Sequence, residues 1–582
     1  MHVNSWTTDH WPEGVPRDIT GYNKPLFSIL DEAAETYPQQ VFTIFSGAAQ
    51  TFGQVREAAN RVANFLIDRG IRKGDRVAIF LPNLAHYPVV YFGIIKAGAV
   101  CVTCNPLYTA GELNYQLKDA GVKALFCMDH PQFYPVTVKA VQDTDVETVV
   151  ICSVKSILPP VKAFLGGLLG KIPKAGSYAA GHFFFDHAVK GVSSRPPVVD
   201  IDPEEDLAVI IYTGGTTGVP KGAALTHANL VFDVMALDQW MRIPQEPDGG
   251  AECLRRGGCH CFLGVLPLYH SFGQTINMLW SCLTASRLIC IPDPRAGKPP
   301  FTEVLKAVED NKATILAAVP TIFVAFNNHP LLNKFDLTSI MGCGSGGAPM
   351  PVEVAKTFEE KTGSVIFECY GLSETAPLAT GNPSNKVGRR FGSVGFPISN
   401  TDVKVLDLVE GTQALPRGED GEIAISGPQV MQGYWNKPQD NATVFREIDG
   451  RRYFLTGDIG HVDEEGYIVI TDRKKDMIIV GGFNCYPREV EEVLYTHPKV
   501  ALAAVVGVPD PKSGEAVKAF IQLAPGAAAT EEEIIDYCRE RLAGYKRPRS
   551  VEFRETLPTS VIGKVLRRVL RDEAHAKIGE EQ

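Results

Sequence analysis

The apolar run at residues 207–211 leads straight into Tyr212-Thr213-Gly214-Gly215-Thr216-Thr217-Gly218-Val219-Pro220-Lys221-Gly222. A buried-strand pattern that ends in glycines, hydroxyls and a lysine leaves few choices. Glycines let the backbone turn tightly and bring its N–H groups close to an anion, while hydroxyls and a lysine add donors and positive charge. The stretch therefore reads as a phosphate-holding loop. It is not a Walker A loop, which needs Gly-Lys followed by Ser or Thr at a helix start. Here Val219-Pro220 separates Gly218 from Lys221, and Gly222 follows. A flexible linker would account for the glycines, but not for the strand pattern before them or for the threonines and lysine among them.

The surrounding sequence alternates helical and strand patterns. Amphipathic helices are predicted at 26–37 and 52–69 and a further helix at 87–97. Strands are predicted at 76–81, 99–103, 124–128 and 148–152, and later at 262–267, 287–291 and 314–319. This is the signature of an α/β fold with mostly parallel strands. A chain of 582 residues exceeds one core, so at least two domains are expected. Residues 402–470 change texture, with short strands between turn signals such as Arg417-Gly418-Glu419-Asp420-Gly421, and predict a small β-barrel-like subdomain. The charged break Thr471-Asp472-Arg473-Lys474-Lys475-Asp476 precedes a compact α+β segment. The expected division is a large domain at 1–471, a hinge at 472–476 and a small mobile C-terminal domain at 477–582.

Composition narrows the function classes. A net charge of −10 argues against general nucleic-acid binding. Residues 1–21 lack the apolar segment of a signal peptide, and the 13 scattered cysteines suit a reducing cytoplasm. The group Cys253, Cys259, His260 and Cys261 lacks a second ligand pair at zinc-finger spacing. The long apolar stretch at 77–104 is broken by Pro82, His86, Pro88 and Lys96 and reads as strand–helix–strand. Residues 154–174 stand apart, with apolar residues at helical spacing and lysines at the flanks. Two readings fit them: a short helix packed on the core, or an interfacial element touching a membrane, which would place a cytoplasmic protein against the inner membrane face.

Further motifs follow the loop in a set order: Pro267-Leu268-Tyr269-His270-Ser271-Phe272-Gly273, Gly344-Ser345-Gly346-Gly347-Ala348-Pro349, Glu368-Cys369-Tyr370-Gly371-Leu372-Ser373-Glu374-Thr375, Phe454-Leu455-Thr456-Gly457-Asp458, Gly481-Gly482-Phe483-Asn484 and Gly563-Lys564. Together they resemble the adenylate-forming superfamily of acyl-CoA synthetases, peptide-synthetase adenylation domains and luciferases, across residues 26–568.

That resemblance implies a two-step reaction. A carboxylate attacks the α-phosphate of ATP to give an acyl-adenylate and pyrophosphate, and coenzyme A then displaces AMP. Two anions must meet, so donors and positive charge have to offset their repulsion. By the resemblance, Thr213, Gly214, Gly215, Thr216, Thr217, Gly218 and Lys221 hold the β- and γ-phosphates, and Glu374 with the Thr213 hydroxyl coordinates Mg2+. Asp458 takes the ribose hydroxyls and Arg473 contacts the ribose. Gly346, Gly347, Ala348 and Tyr370 frame the adenine, with Ser373 in the same nucleotide site. Lys564 bridges the substrate carboxylate and the α-phosphate. Lys475 occupies the hinge, and Gly481 and Gly482 line the path of coenzyme A. His270 and Phe272 border the acyl pocket.

The Gly214 form of the loop resembles that of fatty acyl-CoA ligases, and no acidic residue near His270 stands ready to pair with an amino group. The 154–174 patch resembles insertions of bacterial long-chain ligases. A long- or medium-chain fatty acid is the expected substrate. An aryl acid of the coumarate type is the alternative within enzymes, and a fatty-acid binding protein without turnover is the alternative outside them. Cys369, where a glycine usually precedes the tyrosine, and Gln274, where some long-chain members carry tryptophan, depart from the family pattern.

Overall fold

A computed structural model describes residues 6, 8–213, 219–241, 260–384, 387–560 and 565–581, with side chains to 577. Its strands form four sheets among the described residues. An eight-stranded sheet runs in the order Gly433–Tyr434, Lys221–Thr226, Leu207–Thr213, Val100–Thr103, Arg76–Phe80, Val122–Met128, Thr148–Cys152, Phe183–Phe184. A nine-stranded sheet runs from Phe396–Pro397 through Leu378–Gly381, Ile366–Gly371, Gly342–Ser345, Ile315–Ala318, Cys261–Gly264, Arg287–Cys290 and Val41–Phe45 to Ala48–Thr51. The inner strands of both pair in parallel, as the alternating pattern predicts.

Between these sheets lies the helix His86–Lys96, whose every residue is buried. A helix apolar on all sides has to be enclosed. Its one cation, Lys96, ends the helix and pairs with Asp31. The apolar stretch at 77–104 is thus strand–helix–strand, and no helix among the described residues is long and apolar enough to cross a membrane. The neighbouring helix Phe52–Asp68 begins with a capping box, in which the Thr51 side chain accepts from the Gln54 N–H and the Gln54 side chain accepts from the Thr51 N–H.

Residues 402–473 form an antiparallel five-stranded sheet, in the order Asp402–Leu406, Gly421–Ser426, Arg451–Val462, Phe445–Ile448, with Ile468–Arg473 also pairing Arg451–Val462. The ladder need not close into a barrel to do its work, which is to carry Asp458 and Arg473 toward the larger sheets. Residues 478–553 build a separate sheet, with Val500–Asp510 against Gly514–Leu523 and Ser550–Phe553 added in parallel. The helices Pro487–Tyr495 and Arg567–Glu581 pack with it.

One predicted element differs. The strand expected at 262–267 stops at Gly264, because Asn83 draws the Gly264 and Leu266 carbonyls onto its amide and turns the chain. Beyond it, Gly273–Leu279 is a π-helix. Gly273 is required there, since a Cβ would stand 2.2 Å from the Pro267 carbonyl oxygen.

The apolar patch is not packed into the core along its helix. The helix Pro160–Leu168 buries none of its residues. Phe164 and Leu168 are 70 % and 74 % exposed. The segment is nevertheless tied down: Lys162 donates to the Ser46 carbonyl, and beyond the helix Ala175 N–H and Tyr178 O–H both donate to Asp129 Oδ1 at 2.8 Å.

Candidate active site

The strands on either side of residues 214–218 form a hairpin. Leu207–Thr213 and Lys221–Thr226 pair antiparallel, with Thr213 directly opposite Lys221. Gly214, Gly215, Thr216, Thr217 and Gly218 lie outside the described residues. The flanks are fixed: Gly222 packs where a Cβ would meet Ile210 Cγ2 at 2.5 Å, and the Tyr212 hydroxyl donates to Asp119 Oδ2 at 2.7 Å. The Thr213 hydroxyl lies 3.5 Å from the Lys221 carbonyl. A strand–loop–strand frame differs from the strand–loop–helix frame of a Walker loop.

Lys221 points at two residues that the sequence reading did not single out. Its ammonium pairs with Asp440 and stands 5.5 Å from the centre of the Tyr434 ring. The Tyr434 hydroxyl in turn donates to Glu374 Oε1 at 2.7 Å. Glu374 is buried in the turn Ser373–Thr375 that follows the strand Ile366–Gly371. Burial raises its pKa, and the Tyr434 hydroxyl, which favours the charged form, partly offsets that. Ser373 beside it shares a hydrogen bond with Ser271, 3.1 Å between hydroxyls.

Tyr370, at the end of the same strand, donates its hydroxyl to Asp458 Oδ2 at 2.7 Å. Burial and then the Asp458 charge hold the Tyr370 hydroxyl well above its ordinary value, so it stays a donor. Asp458 Oδ1 pairs with Arg473 Nε at 3.0 Å, and the two residues are register partners between adjacent strands. Asp458 is buried, so each of its oxygens is matched by a fixed donor.

Phe272 packs against Gly346, where a Cβ would come within 3.1 Å of the ring. Gly347, at φ +76°, turns the chain after it, ahead of half-buried Ala348. His270 accepts from the Phe272 N–H through Nδ1 at 3.2 Å. Lys475 follows Arg473, and Gly481 and Gly482, at φ +59° and +86°, form the exposed turn between Ile478–Val480 and Phe483–Cys485. Lys564 lies outside the described residues, as do Cys253 and Cys259. His260 shares a hydrogen bond with the Thr314 hydroxyl at 3.2 Å.

Two networks result: Lys221 with Asp440, Tyr434 and Glu374, and Tyr370 with Asp458 and Arg473, near enough that the Arg473 and Asp458 charges act on the Glu374 carboxyl. The segment that carries Tyr434 and Asp440 reads as an ordinary loop, Tyr434-Trp435-Asn436-Lys437-Pro438-Gln439-Asp440. Its two-residue strand, paired with Lys221–Thr226, and flanking bonds such as Met431 N–H to the Glu374 carbonyl and Lys437 to Asp119 bring it here.

Known proteins share this frame. Residues 30–435 match the family described as AMP-binding enzyme, and residues 489–564 match the AMP-binding enzyme C-terminal domain. The long-chain-fatty-acid–CoA ligase of Bacillus subtilis (strain 168) is 41% identical, over 98% of each chain. A feruloyl-CoA synthase of Amycolatopsis is 34% identical, over 94% of this chain and 99% of its own. The crystal structure of ATP-bound MatB from Rhodopseudomonas palustris superposes with a TM-score of 0.80 at 30% identity, covering 95% of this chain and 99% of that one. Matched over nearly its whole length, the chain belongs to the AMP-binding enzyme family of adenylate-forming proteins.

Proposed function

We propose that the protein is an ATP-dependent fatty acid–CoA ligase, which activates a long- or medium-chain acid as its adenylate and passes it to coenzyme A with release of AMP and pyrophosphate. The observation that carries this reading is the end-to-end likeness to a long-chain-fatty-acid–CoA ligase at 41% identity, combined with the Lys221–Tyr434–Glu374 and Tyr370–Asp458–Arg473 contacts.

In this reading Lys221 and Thr213, with residues 214–218, bind the triphosphate, and Asp458 and Arg473 orient the ribose beside Tyr370. Gly346, Gly347, Ala348 and Ser373 complete the nucleotide site. A buried carboxylate and one hydroxyl fit Mg2+, which binds proteins through one or two carboxylates and otherwise through water and phosphate oxygens. Glu374 and Thr213 would hold the ion, which supplies charge neutralisation for the triphosphate. His270 and Phe272 wall the acyl side. Lys564 is the proposed adenylation lysine, and a pivot of residues 477–582 about 472–476 would withdraw it to admit coenzyme A along Gly481 and Gly482.

The exposed face of Pro160–Leu168 supports peripheral contact with an anionic lipid surface, because exposed Lys155, Lys171 and Lys174 flank Phe164, Leu165, Leu168 and Leu169. A long-chain acid partitions into lipid, so such a face would bring the enzyme to its substrate.

An aryl acid is the second reading, favoured by the 34% identity with feruloyl-CoA synthase. Pyrophosphate release measured with acetate, octanoate, palmitate and coumarate separates the two. Release greatest with palmitate or octanoate is expected. Release greatest with coumarate would replace the fatty-acid reading, and none with any acid would leave a binding protein.

A further inference from the structure

The contact between Lys221 and Asp440 is placed where a phosphate would be bound, and it is built rather than incidental. Gln432 N–H donates to the Ala224 carbonyl at 3.0 Å and Trp435 N–H to the Gly222 carbonyl at 2.8 Å, which stitches this segment beside Lys221. Asn441 then locks the turn by accepting the Tyr434 N–H at 2.7 Å and returning a bond to the Tyr434 carbonyl at 3.1 Å. Asp440 is therefore delivered to Lys221 by fixed backbone on both sides.

The two partners are unequally covered. The Lys221 side chain is 15% exposed and the Asp440 side chain 34%. A charge that leaves a pair must be rehydrated or matched anew. Asp440 can turn to water, whereas Lys221 is held between the hairpin and the Tyr434 ring and has to find another anion. The geometry fits exchange of the anion at a stationary cation.

We propose that Asp440 is a placeholder anion, occupying Lys221 in the free protein and displaced from it by the nucleotide's phosphates. The proposal rests on the reading of Lys221 as a phosphate contact. It makes Asp440 a positioning residue that preserves the Lys221 conformation while competing with the nucleotide. Neutralising a competing carboxylate beside a partly buried cation should tighten anion binding by about three- to tenfold.

The test is calorimetric titration of the full-length protein with ATP in the presence of EDTA and without any acid substrate, so that binding is read apart from turnover. Asp440→Asn should lower the Kd about three- to tenfold, while Asp440→Glu should stay within about twofold of wild type. In a Lys221→Ala background, Asp440→Asn should no longer tighten binding, an outcome that a merely structural role for Asp440 would not give. Asp440→Ser serves the same purpose should the asparagine variant fail to fold. An unchanged or weaker ATP affinity in Asp440→Asn would overturn the placeholder role and leave Lys221 as a phosphate contact. Absence of ATP binding in wild type would overturn the nucleotide reading and this proposal with it.

Discussion

Tyr434 is the residue on which the site converges, since its hydroxyl holds Glu374 and its ring faces Lys221. A hydrogen bond to a charged group contributes about 1.5–3 kcal/mol. Tyr434→Phe keeps the ring and removes the bond, so adenylation measured by pyrophosphate exchange should fall about ten- to a hundredfold, with a rise in the magnesium needed for half-maximal rate. Glu368 gives a pH prediction. Burial pushes its carboxyl up from 4.5 to about 7, with nearby Arg488 and the Met350 N–H opposing. A carboxyl raised on folding is bound to more protons in the folded state between those values, so its ionisation costs stability as pH rises from 4.5 to about 7, by about 3 kcal/mol in all. Melting of wild type relative to Glu368→Gln should therefore drop across that window and level off above it; parallel curves would refute the assignment. The family resemblance pointed to Glu374, Tyr370, Asp458 and Arg473 because each sits in a short motif, and the structure brings Tyr370, Asp458 and Arg473 into contact. Sequence reading missed Tyr434 and Asp440 because Lys221 and Asp440 are 219 residues apart, and their meeting depends on a two-residue strand with no pattern of its own.

At the scale of elements, the strands and helices of the large sheets were legible wherever burial set the period. The predicted strand at 148–152 matches Thr148–Cys152, and the predicted helix at 52–69 runs Phe52–Asp68. The π-helix Gly273–Leu279 was not legible, because an extra residue per turn leaves no mark on a run that is buried throughout. The helix Pro160–Leu168 was legible as amphipathic, but which surface it faces came only from packing. Its exposed side gives a clean prediction. Phe164→Asp combined with Leu168→Asp changes residues that are 70% and 74% exposed, so melting should stay within about 0.5 kcal/mol of wild type. Co-sedimentation with vesicles containing phosphatidylglycerol should weaken at least about tenfold, given roughly 1.5–3 kcal/mol for each large apolar side chain withdrawn from water. Equal sedimentation of variant and wild type would remove lipid contact from the proposal.

Arg567, with Arg488, ties the C-terminal unit to the five-stranded sheet. The Arg567 guanidinium bonds Asp472 at 2.8 Å and Glu491 at 2.5 Å, joining the end of the five-stranded sheet to the helix Pro487–Tyr495. Burial raises the pKa of Glu491, and Arg567 holds it down. Removing one partner of a buried ion cluster strands the others, at a cost of about 3–5 kcal/mol. Arg567→Ala should thus lower the urea midpoint of the C-terminal unit and speed hydrogen exchange in Pro487–Tyr495, while leaving protection in His86–Lys96 unchanged. The pairing of Asp458 with Arg473 has a consequence at this same scale. Arg473 adjoins Lys474 and Lys475, the proposed pivot of residues 477–582, so under the proposed function a ribose drawn to Asp458 would touch one end of the lever that would swing the C-terminal unit. Thermodynamic reciprocity then applies: by whatever factor nucleotide favours one orientation of that unit, that orientation favours nucleotide by the same factor. Occupancy and posture become two readings of a single equilibrium, and labels placed to report the angle would also report the ligand.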